Sequence, residues 1–148
     1  MKTTATVARI LLGLVFFAAG LGGFLLISHP PAQPPGLAGE FQDVFFRSYW
    51  VLFVDGVELI AGLLLLSNRY VPLGLTLLAA VIANIIVFHA TMAPLGLPVA
   101  AIVAVLWTIV ATRYRSSFAP LFVQNPDLGP DRVDHSGPQT TTAALARA

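Results

Sequence analysis

Tyr49-Trp50-Val51-Leu52-Phe53-Val54-Asp55-Gly56-Val57-Glu58-Leu59-Ile60-Ala61-Gly62-Leu63-Leu64-Leu65-Leu66-Ser67 is a helix-length apolar run interrupted by two carboxylates. An ionisable side chain near the centre of a bilayer costs roughly 2.5–3.5 kcal/mol on insertion scales. Asp55 and Glu58 therefore need polar partners, water or protonation if this segment crosses a membrane. They mark where chemistry would sit without saying which chemistry.

The rest of the chain places that run in a membrane. Of 148 residues, 57% are hydrophobic and 10% charged, against about 25% charged in soluble domains. Three further apolar stretches, Ile10–Ile27, Val71–Met92 and Leu95–Thr112, also approach or reach the ~20 residues that cross a ~30 Å hydrocarbon core. A soluble helical core would give its surface helices polar faces, and these segments have almost none. We read four helices at about 6–28, 48–67, 71–92 and 95–113, an outer loop at 29–47, and a tail from 116 to 148. The fold class is an all-α, four-helix transmembrane bundle, with residues 1–115 as one domain. Lys2 and Arg9 ahead of an apolar run resemble a signal peptide, but the run exceeds the usual h-region and Ser28-His29-Pro30-Pro31 is no cleavage site. The first segment reads as a retained helix.

Basic residues set the expected orientation. Lys2, Arg9, Arg69, Arg113 and Arg115 fall on one side of a four-span arrangement, while Arg47 stands alone on the other. The positive-inside rule then puts both termini in the cytoplasm. The net charge of +1 and the lack of a basic run give no footprint for nucleic acid.

Loop lengths add neighbours. Ser67-Asn68-Arg69-Tyr70 is so short that the second and third segments must be antiparallel neighbours. Pro72 suits the first turn of its helix. Within the long loop, Phe41, Val44 and Phe45 recur at helical spacing with Asp43 and Arg47 elsewhere, which predicts a short interfacial helix around Glu40–Arg47. Tyr49 and Trp50 follow as interface anchors. The tail from Ser116 lacks periodic apolar residues and is expected to be disordered in the cytoplasm.

Helical spacing also predicts which faces meet. Val51, Asp55, Glu58, Gly62 and Leu65 form one stripe of the second segment. Arg9, Gly13, Phe16, Gly20 and Gly23 form a matching stripe of the first. Small-residue stripes let backbones approach closely in lipid, so the two are expected to pack together. Asn84 and His89, on the third segment, lie about 140° apart at 100° per residue. With the outer boundary near Ser48 and Met92, Asp55 and Asn84 would lie about 10–12 Å deep, Glu58 about 15 Å and His89 about 4–5 Å. Asn84 then has either carboxylate in reach, His89 has Asp55, and Arg9 only stretches toward Glu58. Asp55, Glu58, Asn84, His89 and Arg9 make up the candidate intramembrane polar cluster. Each also has a plainer role: a polar knot for the carboxylates, interhelical glue for Asn84, a capping or solvated side chain for His89, and snorkelling to headgroups for Arg9.

Residue types restrict the chemistry. The chain has no cysteine, which excludes thiol chemistry and cysteine-ligated clusters. A single histidine within the spans rules out bis-histidine haem ligation in one chain. A metal would have to use Asp55, Glu58 and His89, and no spacing motif supports one. No phosphate-binding loop occurs, and no residue is assigned a catalytic role.

Three passages resemble the DoxX family of small bacterial membrane proteins. They are Ala8-Arg9-Ile10-Leu11-Leu12-Gly13 with its continuation to Gly20, Glu58-Leu59-Ile60-Ala61-Gly62-Leu63-Leu64-Leu65-Leu66 with Asn68-Arg69-Tyr70-Val71-Pro72-Leu73, and Asn84-Ile85-Ile86-Val87-Phe88-His89. The similarity spans about residues 5–115. It implies a four-helix membrane bundle, with Arg9, Glu58, Asn84 and His89 at the family's polar positions; Asp55, the Pro-rich outer loop and the tail fall outside the pattern. The family is named for a relative of the small subunit of a thiosulfate:quinone oxidoreductase, and some members are thought to work with membrane redox systems. Two functional expectations follow. One is a non-catalytic accessory or scaffold subunit of a membrane assembly, self-associated or joined to a membrane-associated oxidoreductase subunit, or a small-solute permease. The other is a quinone-associated redox subunit in which His89 and Glu58 hydrogen-bond a quinone headgroup or relay its protons.

Overall fold

The structure is a computed structural model that describes residues 2–124. Its long elements are α1 (Lys2–Leu26), α2 (Leu37–Arg47), α3 (Trp50–Leu66), α4 (Val71–Thr91) and α5 (Leu97–Arg113). Two short turns follow, α6 (Arg115–Phe118) and a 3₁₀ turn at Ala119–Phe122. α1 packs on α3 and α5, and α4 packs on the same two helices, closing a four-helix ring. The α1–α3 seam is the most extensive.

This bundle is apolar on its outside as well as inside. Val7, Leu14, Phe53, Ile60, Val87 and Ile102 are all exposed, a surface that water does not tolerate but lipid does. Three segments are long and apolar enough to cross a membrane unaided: Thr3–Leu26, Val71–Thr91 and Pro94–Arg113. α3 has 17 residues, about 25 Å at 1.5 Å per residue, slightly less than the hydrocarbon thickness. It meets that test only together with α2, from which it is bent by 85°. The expected second span, 48–67, is thus shorter than the sequence suggested. The cause is Tyr49, whose left-handed backbone (φ 58) ends α2 and starts α3 in a new direction.

α2 is the short helix expected around Glu40–Arg47, begun three residues earlier than Glu40. Its Asp43 and Arg47 pair at 2.9 Å on the exposed side. Phe41 stacks on Phe45 and reaches Phe88 of α4, with ring centroids 5.9 and 5.5 Å apart, so the helix rests over that end of the bundle. The α3–α4 turn is as tight as expected: Asn68 and Tyr70 both adopt positive φ. The first helix starts at Lys2 instead of about residue 6.

The tail is ordered for longer than expected. Residues 115–122 continue as helical turns because Tyr114 and Phe118 pack against the core. The remainder of the tail expected to be disordered lies outside the described residues. The apolar core is concentrated near the α3–α4 turn, where Leu12, Leu65, Leu75, Leu78 and Val110 are fully buried. The carboxylates lie farther along α3, toward α2.

Candidate functional site

α3 buries the stripe that its sequence predicts: Val51, Asp55, Glu58, Gly62 and Leu65, with Ala61 beside them. Lipid exposure of two carboxylates would be too costly, so this face turns inward and draws α1 against it. Gly62 lies against the α1 backbone, where a Cβ would sit 2.6 Å from Phe17 N and 2.9 Å from Gly13 O. At Gly20 a Cβ would meet Asp55 O at 2.5 Å and Leu59 N at 2.7 Å. Any larger side chain at these positions forces the helices apart, so the glycines set how deeply the carboxylates sit. Farther along, the Asp55 carboxylate occupies the space a side chain on Gly23 would need.

Asp55 and Glu58 are 7% and 8% exposed, so both are enclosed by protein and not by lipid. Asp55 Oδ2 is buried without a hydrogen-bond partner. Among the described residues, no ion pair or hydrogen bond engages either carboxylate; the one ion pair is the exposed Asp43–Arg47 pair on α2. That orphaned oxygen is the strongest sign of an unmet polar requirement within the bundle.

The other expected members of the cluster stand apart from the pair. Asn84 is exposed, and its amide donates to Ala80 O of its own helix at 3.0 Å. It therefore does not turn toward the carboxylates, contrary to expectation. The interior face of α4 is Val71, Gly74, Leu75, Leu78 and Ile82, and Asn84 lies roughly 200° on from Ile82 at 100° per residue. His89 returns to the interior face at the end of α4, half-buried. Its Nδ1 is 3.1 Å from Ala93 O and its ring packs edge-on to Phe88 at 5.2 Å. The ring also fills the space beside Gly96 that a side chain there would need. His89 thus closes the α4–α5 hairpin, and its hydrogen bond is spent there instead of on Asp55. No three Asp, Glu or His side chains among the described residues converge in a way that would hold a metal ion.

Arg9 neither reaches Glu58 nor simply snorkels. It is half-buried and its guanidinium donates to Leu65 O of α3. Cations are favoured at the C-terminal end of a helix, where carbonyls lack intrahelical donors, so Arg9 clamps α1 to the end of α3. A second clamp escaped the sequence reading: Trp107 Nε1 of α5 donates to Leu75 O of α4 at 2.9 Å. An apolar helix carrying a tryptophan signals such a bond only weakly, because the acceptor is a backbone carbonyl.

Apolar helices ringed into a bundle, with buried carboxylates between two of them, define a multi-pass membrane protein. The model of the DoxX family matches residues 4–91, more than half of the chain and all of α3 and α4. The chain belongs to the DoxX family. The matched residues stop at the end of α4, so α5 lies beyond them. Neither a curated protein nor a solved structure matches the chain.

Proposed function

We propose that this chain is a non-catalytic accessory or scaffold subunit of an assembly in the bacterial inner membrane, with both termini in the cytoplasm. The observation that carries the reading is Asn84. Its side chain is exposed on the outward face of α4, about 10 Å from the end of that helix, with only an intrahelical bond to Ala80 O. An amide facing lipid leaves its carbonyl oxygen unmet, and such groups drive helix association in membranes. A partner helix on this face, from a second copy or from a membrane oxidoreductase subunit, would supply the missing donor. The orientation rests on Arg69, Arg113 and Arg115 at one end of the bundle against Arg47 alone at the other.

Purification from native membranes in mild detergent tests the proposal. Wild-type chain should bring down a stoichiometric membrane partner or a second copy, and Asn84→Leu should lose it while remaining folded. A monomeric wild-type chain with no partner would refute it.

One observation favours a second reading. The unpartnered Asp55 Oδ2, beside Glu58 on the same buried stripe, suits a polar ligand such as a quinone headgroup or a transferred proton. In that reading a quinone extracted with the purified chain is lost in Glu58→Gln.

A further inference from the structure

The end of the bundle where α1 begins and α5 ends has a feature outside the carboxylate pair. A cleft of about 340 Å³ opens there, lined by Ala5, Thr6, Arg9, Asn68, Arg113 and Tyr114. We infer that this cleft binds the phosphate of an anionic membrane lipid, through Arg9 and Arg113.

Three observations support this. The first is charge. Arg9 uses one guanidinium nitrogen on Leu65 O and keeps further donors. Arg113 is exposed and has no acidic partner among the described residues. The acidic side chains of the described residues are Glu40, Asp43, Asp55 and Glu58, on α2 and α3, none of them lining this cleft. Two guanidinium groups lining one cleft without a counter-charge among the described residues form a seat for a phosphate, which they bind with short, charge-assisted bonds.

The second is shape. Tyr114 donates to Asn68 Oδ1 at 3.5 Å, tying the end of α5 to the α3–α4 turn where both line the cleft. The third is depth. Arg113 is the last residue of the span Pro94–Arg113, the level at which lipid phosphates lie. The same two helices, α1 and α5, also border an apolar groove of about 320 Å³ that includes Val7, Leu11, Leu106 and Ile109. A lipid satisfies both features, an anionic head at the arginines and acyl chain along the apolar seam, whereas a soluble phosphate satisfies only the first.

The test uses the full chain purified in a zwitterionic detergent and offered phosphatidylglycerol, phosphatidylcholine or inorganic phosphate, with native mass spectrometry and thermal melting as readouts. Wild type should retain phosphatidylglycerol in preference to phosphatidylcholine and melt higher with it. Arg113→Gln, which changes an exposed side chain, should bind it about tenfold more weakly, the loss of one charged hydrogen bond. Arg47→Gln, at the opposite end, should bind as wild type does. Arg9→Gln is a less decisive variant because it also removes the clamp on Leu65 O. Equal retention of the two lipids, or undiminished binding in Arg113→Gln, would overturn the inference. So would stabilisation by inorganic phosphate that matches phosphatidylglycerol, since the ligand would then be a soluble anion.

Discussion

The Asp55 carboxylate lies where a side chain on Gly23 would have to go. An ionisable group on one helix and an absent side chain on its neighbour are thus one feature: α1 makes room, and α3 fills it with a group that lipid would reject. Gly20 and Gly62 repeat the arrangement with backbone in place of carboxylate. The depth of the polar pair follows from how closely these two helices approach.

Enlarging a glycine on this seam should therefore destabilise the bundle. Gly62→Leu drives a side chain into the α1 backbone at Phe17, and overpacking of this kind costs roughly 1–3 kcal/mol where neighbours can give. Backbone gives less than a side chain does, so the upper end is expected. Thermal melting in detergent should show a clear loss, while Gly22→Leu, at a position with open space around it, should melt close to wild type.

Replacing the carboxyls by amides should leave the bundle standing. Asp55→Asn and Glu58→Gln keep shape and hydrogen-bonding reach, and the described residues offer neither carboxylate an ion pair to lose. Both variants should melt within about 1 kcal/mol of wild type and still co-purify with the partner. A variant that folds normally but loses quinone-dependent activity in membranes would favour the redox reading instead.

Trp107→Phe keeps most of the apolar contact and deletes the bond to Leu75 O. Hydrogen bonds between membrane helices average about 0.6 kcal/mol in measured cycles. A loss of that order is expected in an unfolding titration, and no change at all would mean that the bond is not formed in the bilayer.

Orientation is directly accessible. Reporter fusions at Gln33 and at the C-terminus should report the external and the cytoplasmic compartment respectively. The same compartment from both fusions would contradict the arrangement with both termini inside.

The stripes of α1 and α3 were legible in the sequence because glycines and carboxylates at helical spacing can face only inward in lipid. The face of α4 was not. Its interior residues Val71, Leu75, Leu78 and Ile82 are no more apolar than its exposed Leu73, Ile86 and Val87, so hydropathy does not distinguish inside from outside. Asn84, the one polar residue midway along, pointed the reading inward when the packed stripe sends it out. The clamps at Arg9 and Trp107 escaped for a different reason: their acceptors are carbonyls of leucines, which no side-chain pattern announces. The bend at Tyr49 needed a left-handed backbone at an ordinary aromatic residue, which sequence does not signal.

The account stands on Asn84 facing another protein within the membrane. A photo-crosslinking amino acid placed at position 84 and irradiated in intact membranes measures this directly. The account predicts a discrete protein adduct, of one size, that is not formed from the exposed position 14 on α1, the helix diagonally across the ring. Crosslinks to lipid alone from position 84 would contradict it.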